Sequence, residues 1–154
     1  MKYRQLTLEE LKPLEKDFLA FIIVNGYTGD DWDKLKTNSP EKADKILDLF
    51  SDMVFEKIMD DVKFLEFRSK NALHCFQCLA EKIVLVKMET QDVNADFSDN
   101  NYLANATQNP PKDLKVTTSE KEYTKERNLE IYDMTNNGCT IADGRLFKTL
   151  CLSL

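Results

Sequence analysis

The sequence has few glycines and no long apolar run. Its four glycines form neither a G-x-G-x-x-G pattern nor a phosphate-binding loop; they are Gly26, Gly29, Gly138 and Gly144. The longest uninterrupted apolar stretch, residues 18–24, is far shorter than the roughly 20 residues that span a bilayer. No apolar segment follows the positive charges near the start, as it would in a secretory signal. These absences disfavour phosphate-cradling enzymes and predict a cytoplasmic protein that does not bind membranes.

Basic charge and histidine are also scarce. The chain has 21 lysines and arginines against 27 acids, a net charge of −6, which opposes binding to phosphate backbones and anionic lipids. We therefore expect no nucleic acid among its partners. The single histidine, His74, must serve any catalysis that needs an imidazole. Four cysteines in a leaderless chain of this size are typical of reduced thiols in a cytosol.

The richest supply of β-branched and aromatic residues lies between Val62 and Thr90. Apolar positions there are too closely spaced for one helix face, and Lys70-Asn71 suits a tight turn. The pattern predicts three antiparallel strands, about 62–69, 72–79 and 82–89. Residues 72–82 also fit a helical period, which leaves that alternative open. A chain of 154 residues, 42% of them hydrophobic, is expected to form a single α+β domain.

Helices are predicted before this sheet. Thr7 and Glu10 have the spacing of a capping box and open an amphipathic helix over 8–24, in which Pro13 either kinks the helix or marks its true start. A short helix over 29–36 follows. Ser39-Pro40 then opens a helix over 40–60, with Ser at the cap and Pro in the first turn.

The chain becomes polar beyond the sheet. Residues 91–114 are predicted to form a long acidic loop, and loops of this length are usually functional or disordered. A second capping-box spacing, Ser119 to Glu122, predicts a helix over 119–135. The tail, 146–154, fits a final strand or a final helix equally well.

Cys75 and Cys78 form a C-x-x-C pair, which binds zinc or forms a redox disulfide when both sulfurs point the same way. On a strand they project from opposite faces. His74 and Cys78 share a face but lie about 13 Å apart along a strand, too far for one zinc. The two would be neighbours only if 72–82 were helical. We expect buried cysteines and a structural His74 opposite Phe67 rather than a catalytic or metal-binding group.

Asp92, Asn94 and Asp96 resemble the first half of a calcium loop. Such a loop needs Gly at its sixth position and Glu at its twelfth, where this chain has Phe97 and Leu103. A solvated acidic loop is therefore the expected structure. We expect no cofactor.

Two segments are candidate partner-binding surfaces. Trp32 lies among acids in Asp30-Asp31-Trp32-Asp33 and either forms an exposed contact or packs inward while the acids favour the helix start. In the tail, Phe147, Leu150 and Leu152 would leave a dimerisation edge if they formed a strand. The pattern favours docking of the tail into the chain's own core.

Distinctive short patterns stand near both ends of the chain. The opening reads Met1-Lys2-Tyr3-Arg4, Leu6-Thr7 and Glu9-Glu10-Leu11, and the closing part reads Gly138-Cys139, Ile141, Asp143-Gly144 and Leu146-Phe147-Lys148. In these residues the chain resembles an uncharacterised family of small bacterial proteins of similar length. The resemblance implies a bacterial cytosolic origin, and it transfers no catalytic or ligand residue.

Two functions from different classes follow. The favoured one is a non-enzymatic protein-interaction or regulatory module, in the form of a homodimer or with another protein, acting through the sheet edge, the tail or Trp32. The alternative is a small enzyme or metal-binding protein. Its site would lie between the sheet and the 92–112 loop and would use His74 with nearby acids or cysteines.

Overall fold

The computed structural model describes residues 1–154 and divides them into two compact units, Met1–Asp60 and Asp61–Leu154. Helices make up the first unit, and a five-stranded antiparallel sheet with three helices makes up the second. The predicted α+β class is confirmed, whereas a single domain over 1–154 stays a prediction. No helix combines the length and the apolar character that crossing a bilayer requires.

The first unit begins with a helix that proline interrupts. Helix α1 (Leu8–Leu11) passes through a 3₁₀ turn (Lys12–Leu14) into α2 (Glu15–Val24), because Pro13 has no N–H to donate and clashes with the preceding turn. Pro13 is therefore not the start of the helix, which begins at Leu8; it interrupts the helix instead. Helices α3 (Gly29–Asn38) and α4 (Pro40–Asp61) follow close to their predicted bounds.

Aromatic side chains form the core of this unit. Phe50 of α4 is fully buried, and the ring of Phe18 meets the rings of Trp32 and Phe50 edge-on at centroid distances of 5.0 and 5.1 Å. The segment before α1 is tied to α4 as well, since the Leu6 N–H donates to Oγ of the buried Ser51 at 2.9 Å. This hydrogen bond fixes the position of the chain just before α1.

The sheet has the strand order β4-β3-β2-β1-β5. Strands β1 (Phe64–Arg68), β2 (Ala72–Cys78) and β3 (Lys82–Glu89) occupy the three predicted positions, so the helical alternative for 72–82 is wrong. The Ser69 N–H donates to the Ala72 carbonyl at 2.9 Å and closes the predicted turn. His74 lies opposite Phe67 on β1, as predicted, and opposite Lys87 on β3.

Two predictions beyond β3 are corrected. The predicted loop over 91–114 contains helix α5 (Asn100–Gln108), which places Leu103 and Ala106 in the core. The predicted helix over 119–135 is wrong in its first part, because residues 115–122 form strand β4 (Lys115–Glu122), which pairs with β3 along its whole length. Helix α6 (Arg127–Asn136) begins later.

Arg127 fixes the start of α6. Its guanidinium donates to the Val62 carbonyl at 2.6 Å, to Cys78 at 3.2 Å and to Leu79 at 3.1 Å. These carbonyls lie just before β1 and at the end of β2. One cation therefore ties the start of α6 to these two strand ends through charge-assisted hydrogen bonds.

The tail is helical, so its strand interpretation is wrong. After the short β5 (Thr140–Ala142), helix α7 (Arg145–Cys151) packs on the sheet. It contributes Phe147 and Leu150 to the main core of this unit, with Leu73, Cys75, Val86, Met88, Phe97, Leu103 and Ala106. The tail thus docks into its own core, as the pattern favoured.

Candidate functional site

The first unit contains an open apolar groove of about 510 Å³. Side chains from α1, the 3₁₀ turn, α2, α3 and α4 line it: Leu8, Leu11, Lys12, Glu15, Phe18, Trp32, Lys36 and Leu47. We call this feature the Trp32 groove. Its volume lies within the range of sites that bind small molecules or a few side chains.

The interruption at Pro13 helps to form the groove. Leu8 and Leu11 stand on the short α1, before the break, while Phe18 stands on α2 after it. Leu8 remains 80% exposed although it is a large apolar residue. A leucine left in water beside an apolar groove marks a surface that gains free energy when another molecule covers it.

Trp32 is both a core residue and part of the groove wall. It is only 8% exposed, packs edge-on against Phe18, and still lines the groove. Asp31 takes part in a capping box with Thr28 at the start of α3, and hydrogen bonds from Thr28 lower the pKa of the Asp31 carboxyl. The acids around Trp32 therefore favour the helix start, and the indole packs inward.

A network of side chains fixes α1. Thr7 Oγ1 accepts from the Glu10 N–H at 3.2 Å, and Glu10 accepts from the Thr7 N–H at 2.9 Å. The Arg4 guanidinium donates to both carboxylate oxygens of Glu10 at 2.8 Å. The predicted capping box is thus present, and it holds the wall that carries Leu8.

This network makes the groove wall sensitive to acid. The Arg4 hydrogen bond, followed by that from the Thr7 N–H, lowers the pKa of Glu10 to about 2. Because the pKa of Glu10 is lower in the folded chain than in the unfolded chain, its ionised carboxylate stabilises the folded state. This stabilisation is fully present above about pH 4.5 and is lost as the pH falls toward 2. When the pH is lowered from 5 to 2, backbone hydrogen exchange in residues 5–14 should therefore accelerate. The acceleration should be larger in the wild type than in Glu10→Gln.

The matched control for this prediction is Glu9→Gln. Glu9 is exposed beside Glu10 and makes no ion pair in the structure. Its variant should keep the acid response of the wild type once the intrinsic exchange rate is corrected for pH. The same response in Glu10→Gln would contradict the assignment.

The tail residues predicted to bind a partner are placed differently. Phe147 and Leu150 are buried in the core of the second unit, and Leu152 is 89% exposed just after α7. A partner could not reach Phe147 or Leu150 without displacing α7. Leu152 does not line the Trp32 groove, so it provides a useful control position.

His74 stands on a sheet face with two aromatic rings. Its ring centroid lies 5.8 Å from that of Phe67 and 6.3 Å from that of Phe76. Burial, and then the charge of Lys87, lowers the pKa of His74, so the imidazole is neutral at pH 7. Nδ1 is buried without a hydrogen-bond partner. No carboxylate, thiol or hydroxyl is hydrogen-bonded to the ring, which sets it apart from a catalytic histidine.

The structure does not bring the predicted metal ligands together. Strand alternation puts Cys75 on the opposite face from His74 and Cys78. Asp92 and Asp96 use their carboxylates locally, accepting from the N–H groups of Asn94 at 3.0 Å and Ser98 at 3.1 Å. Phe97, the sixth residue of the supposed calcium loop, is fully buried. Nowhere do three His, Cys, Asp or Glu side chains converge as metal ligands would.

The same alternation separates His74 from the 92–112 segment. Phe97 and α5 cover the face that carries Leu73 and Cys75, whereas His74 projects from the other face. The structure therefore does not assemble a site between His74 and Asp92, Asn94 or Asp96.

Thiol reactivity should follow burial. Burial raises the pKa of Cys75 to about 12 and that of Cys78 to about 11, and it raises the pKa of the half-buried Cys139. Because the thiolate is the reactive form, iodoacetamide at pH 7.5 should first alkylate the exposed Cys151. Peptide mass spectrometry should show Cys151 labelled first, Cys139 slowly, and the other two only after denaturation. Cys151→Ser should abolish the fast phase, and fast labelling of Cys75 would contradict the fold.

The sequence indicated only part of the groove. It singled out Trp32 and predicted an amphipathic helix over 8–24, which includes Leu8, Leu11 and Phe18, but it assigned no role to Lys12 or Lys36. The available signal was Pro13, which separates α1 from α2. The groove itself depends on how four helices meet, and no local pattern encodes that meeting.

Comparisons with known proteins agree with the resemblance seen at the chain ends. A family model described as a family of unknown function, DUF6495, matches residues 1–154. No curated protein and no solved structure matches the chain. The bacterial origin that the resemblance implied stays a prediction.

Proposed function

The chain belongs to the DUF6495 family, a family of unknown function, and we propose that it is a non-enzymatic protein-interaction or regulatory module of the cytoplasm. Its docking surface is the Trp32 groove. The partner inserts apolar side chains between α1 and α3 and covers Leu8. Self-association through the same groove would be the homodimeric form of this role.

One observation carries the proposal: a large apolar side chain is left in water at the mouth of an apolar groove. Leu8 is 80% exposed while Leu11, Phe18, Trp32 and Leu47 line the cavity beside it. Removing apolar area from water contributes about 25 cal/mol per Å². Covering Leu8 and filling the groove therefore stabilises a complex.

The shape of the groove supports a protein partner. An amphipathic helix presents apolar side chains at i, i+3, i+4 and i+7 to such a groove and keeps its other face in water. Helices surround the groove, so ridge-and-groove packing is available to an added helix. Trp32 supplies the rigid aromatic contact that commonly dominates binding energy.

The enzyme alternative has weaker support. It needs a base, an acid or a nucleophile arranged around a substrate position. His74 has two phenylalanine rings as neighbours and no hydrogen-bonded acid or nucleophile, while Cys75 lies on the opposite face. An interaction role needs no such arrangement.

Affinity capture with matched variants tests the proposal. Leu8→Asp places a charge in the mouth of the groove, and because Leu8 is exposed the fold should be unchanged. Leu152→Asp is the control, since that leucine is likewise exposed but does not line the groove. We expect a partner that the wild type and Leu152→Asp retain stoichiometrically and that Leu8→Asp loses.

The captured protein must then bind in purified form. Trp32 is the only tryptophan, so binding in the groove should shift its emission. A partner that Leu8→Asp retains, or a purified partner that leaves the emission unchanged, would overturn the proposal. Light scattering of the protein alone distinguishes a second copy from another protein.

A further inference from the structure

The Trp32 groove carries positive charge in a negatively charged unit. Residues 1–60 contain nine lysines and arginines against thirteen acids, a net charge of −4. At the groove the balance reverses, with Lys12 and Lys36 against Glu15. Lys12 makes no ion pair in the structure, and Lys36 meets Asp33 at 3.4 Å with both side chains more than half exposed. Such an exposed pair is weak and readily exchanged.

Trp32 forms an apolar wall beside the two ammonium groups. Its ring is 8% exposed and packs edge-on against Phe18, and the Lys36 ammonium lies 5.9 Å from the ring centroid. Two ammonium groups and one carboxylate thus line an apolar cavity.

From this set of groups we propose that the Trp32 groove selects an acid-flanked apolar segment of a partner protein: large apolar side chains with Asp or Glu beside them. The apolar side chains fill the cavity between Leu11, Phe18 and Trp32. The carboxylates accept from Lys12 and Lys36. This inference rests on the proposed function, since it specifies the chemistry of the partner at the same site.

A partner helix fits these observations better than an anionic lipid. Small-molecule sites usually bury 70–90% of their ligand, whereas this groove has an exposed wall at Leu8. An acyl chain would remain partly in water there. A helix can leave its polar face exposed while its apolar face covers Leu8.

Three matched peptides test the charge selection. They are amidated helical peptides of about four turns without aromatic residues, with leucines at i, i+4 and i+7, and they differ only in having Glu, Gln or Lys beside the leucines. Trp32 emission of the full chain is the readout. At low salt we expect the Glu peptide to bind roughly tenfold more tightly than the Lys peptide, with the Gln peptide between them, because two exposed ion pairs change from attraction to repulsion.

Variants show whether the charges act at the groove. Lys12→Glu should remove or reverse the order of the three peptides, whereas Lys34→Glu, on α3 but outside the groove, should leave it unchanged. About 1 M salt should compress the differences because it screens exposed charges within about 3 Å. Leu8→Asp should weaken all three peptides.

The outcomes separate the two proposals. Three peptides that bind equally to the wild type but not to Leu8→Asp would overturn the acidic preference and leave the groove as a docking site. No emission change with any peptide, or an equal change in Leu8→Asp, would overturn the docking site itself. Dodecanoate that binds more tightly than the Glu peptide and displaces it would assign the groove to a lipid and overturn the inference.

Discussion

Phe50→Ala should lower the free energy of unfolding of the first unit by about 3–5 kcal/mol, the usual loss when a fully buried phenylalanine is truncated. Phe50 is completely buried and its ring lies 5.1 Å from that of Phe18 and 5.4 Å from that of Phe21. Because Phe18 also supports Trp32, the cavity should loosen the groove. Denaturant unfolding followed by Trp32 emission measures the loss.

Leu49→Ala is the control for this variant. Leu49 precedes Phe50 on α4 but is 60% exposed, so its truncation should change stability by less than about 0.5 kcal/mol. The wild-type emission maximum should be kept in Leu49→Ala and should shift to longer wavelength in Phe50→Ala. Similar stabilities for the two variants would show that Phe50 does not hold the core of this unit.

Gly144→Ala should destabilise the second unit by about 2–4 kcal/mol, combining a left-handed backbone cost with overpacking. Gly144 has φ +88°, and a Cβ there would lie 2.5 Å from Cδ2 and 2.7 Å from Cζ of Phe64. The Phe64 ring cannot move freely because it packs against Phe147 of α7, at a centroid distance of 5.5 Å. Hydrogen exchange should rise in peptides from α7 and from β1.

Gly29→Ala and a double variant complete this test. A Cβ added at Gly29 would have no atom within 4 Å, and the backbone angle there is ordinary, so this variant should be near neutral. Phe64→Leu combined with Gly144→Ala should recover part of the loss, since the two sites are in contact and should couple by about 0.5–3 kcal/mol. A Gly144→Ala variant as stable as the wild type would mean that the turn before α7 differs from the one described.

The central strands were predictable because their signal is local. The closely spaced aromatic and β-branched residues between Val62 and Thr90 indicate the strands, and the turn at Lys70-Asn71 sets the pairing of His74 with Phe67. The helix over 40–60 was equally clear from Ser39-Pro40 at its start. Each of these elements buries apolar side chains, so its own sequence contains a clear apolar pattern.

Strand β4 was missed because it is an edge strand. It is mostly polar and exposed, as edges that avoid aggregation usually are, and Ser119 with Glu122 imitates a capping box. The remaining signal was the β-branched run Val116-Thr117-Thr118. Pairing with β3 supplies the stability that the residues themselves lack, and such pairing is a long-range property.

Helix α5 was missed for a related reason. Its sequence is rich in asparagine, which favours caps and turns over helix interiors, yet Asp99 caps it and Leu103 and Ala106 bury one face. Two apolar residues one turn apart gave a weak signal. Contact with the sheet decides the structure of this segment.

Trp32 shows how far a sequence can indicate a site. Two roles were expected for Trp32, an exposed contact and an inward-packed ring. In the structure the ring packs inward and also forms part of the groove wall, so one side of it is buried and the other faces the groove. The acids beside it proved to serve the start of α3. The lysines that give the groove its charge come from two different elements, the 3₁₀ turn and α3, and only folding brings them together.

Site-specific photo-crosslinking measures most directly whether the Trp32 groove docks another protein. A photoreactive amino acid would replace Leu8 in the full chain, with the same replacement at Leu152 as the control, and intact cells that produce the protein would be irradiated. The proposal predicts a discrete protein adduct from position 8 and none of that mass from position 152. A folded protein that gives no adduct at position 8, or the same adduct from both positions, would contradict it.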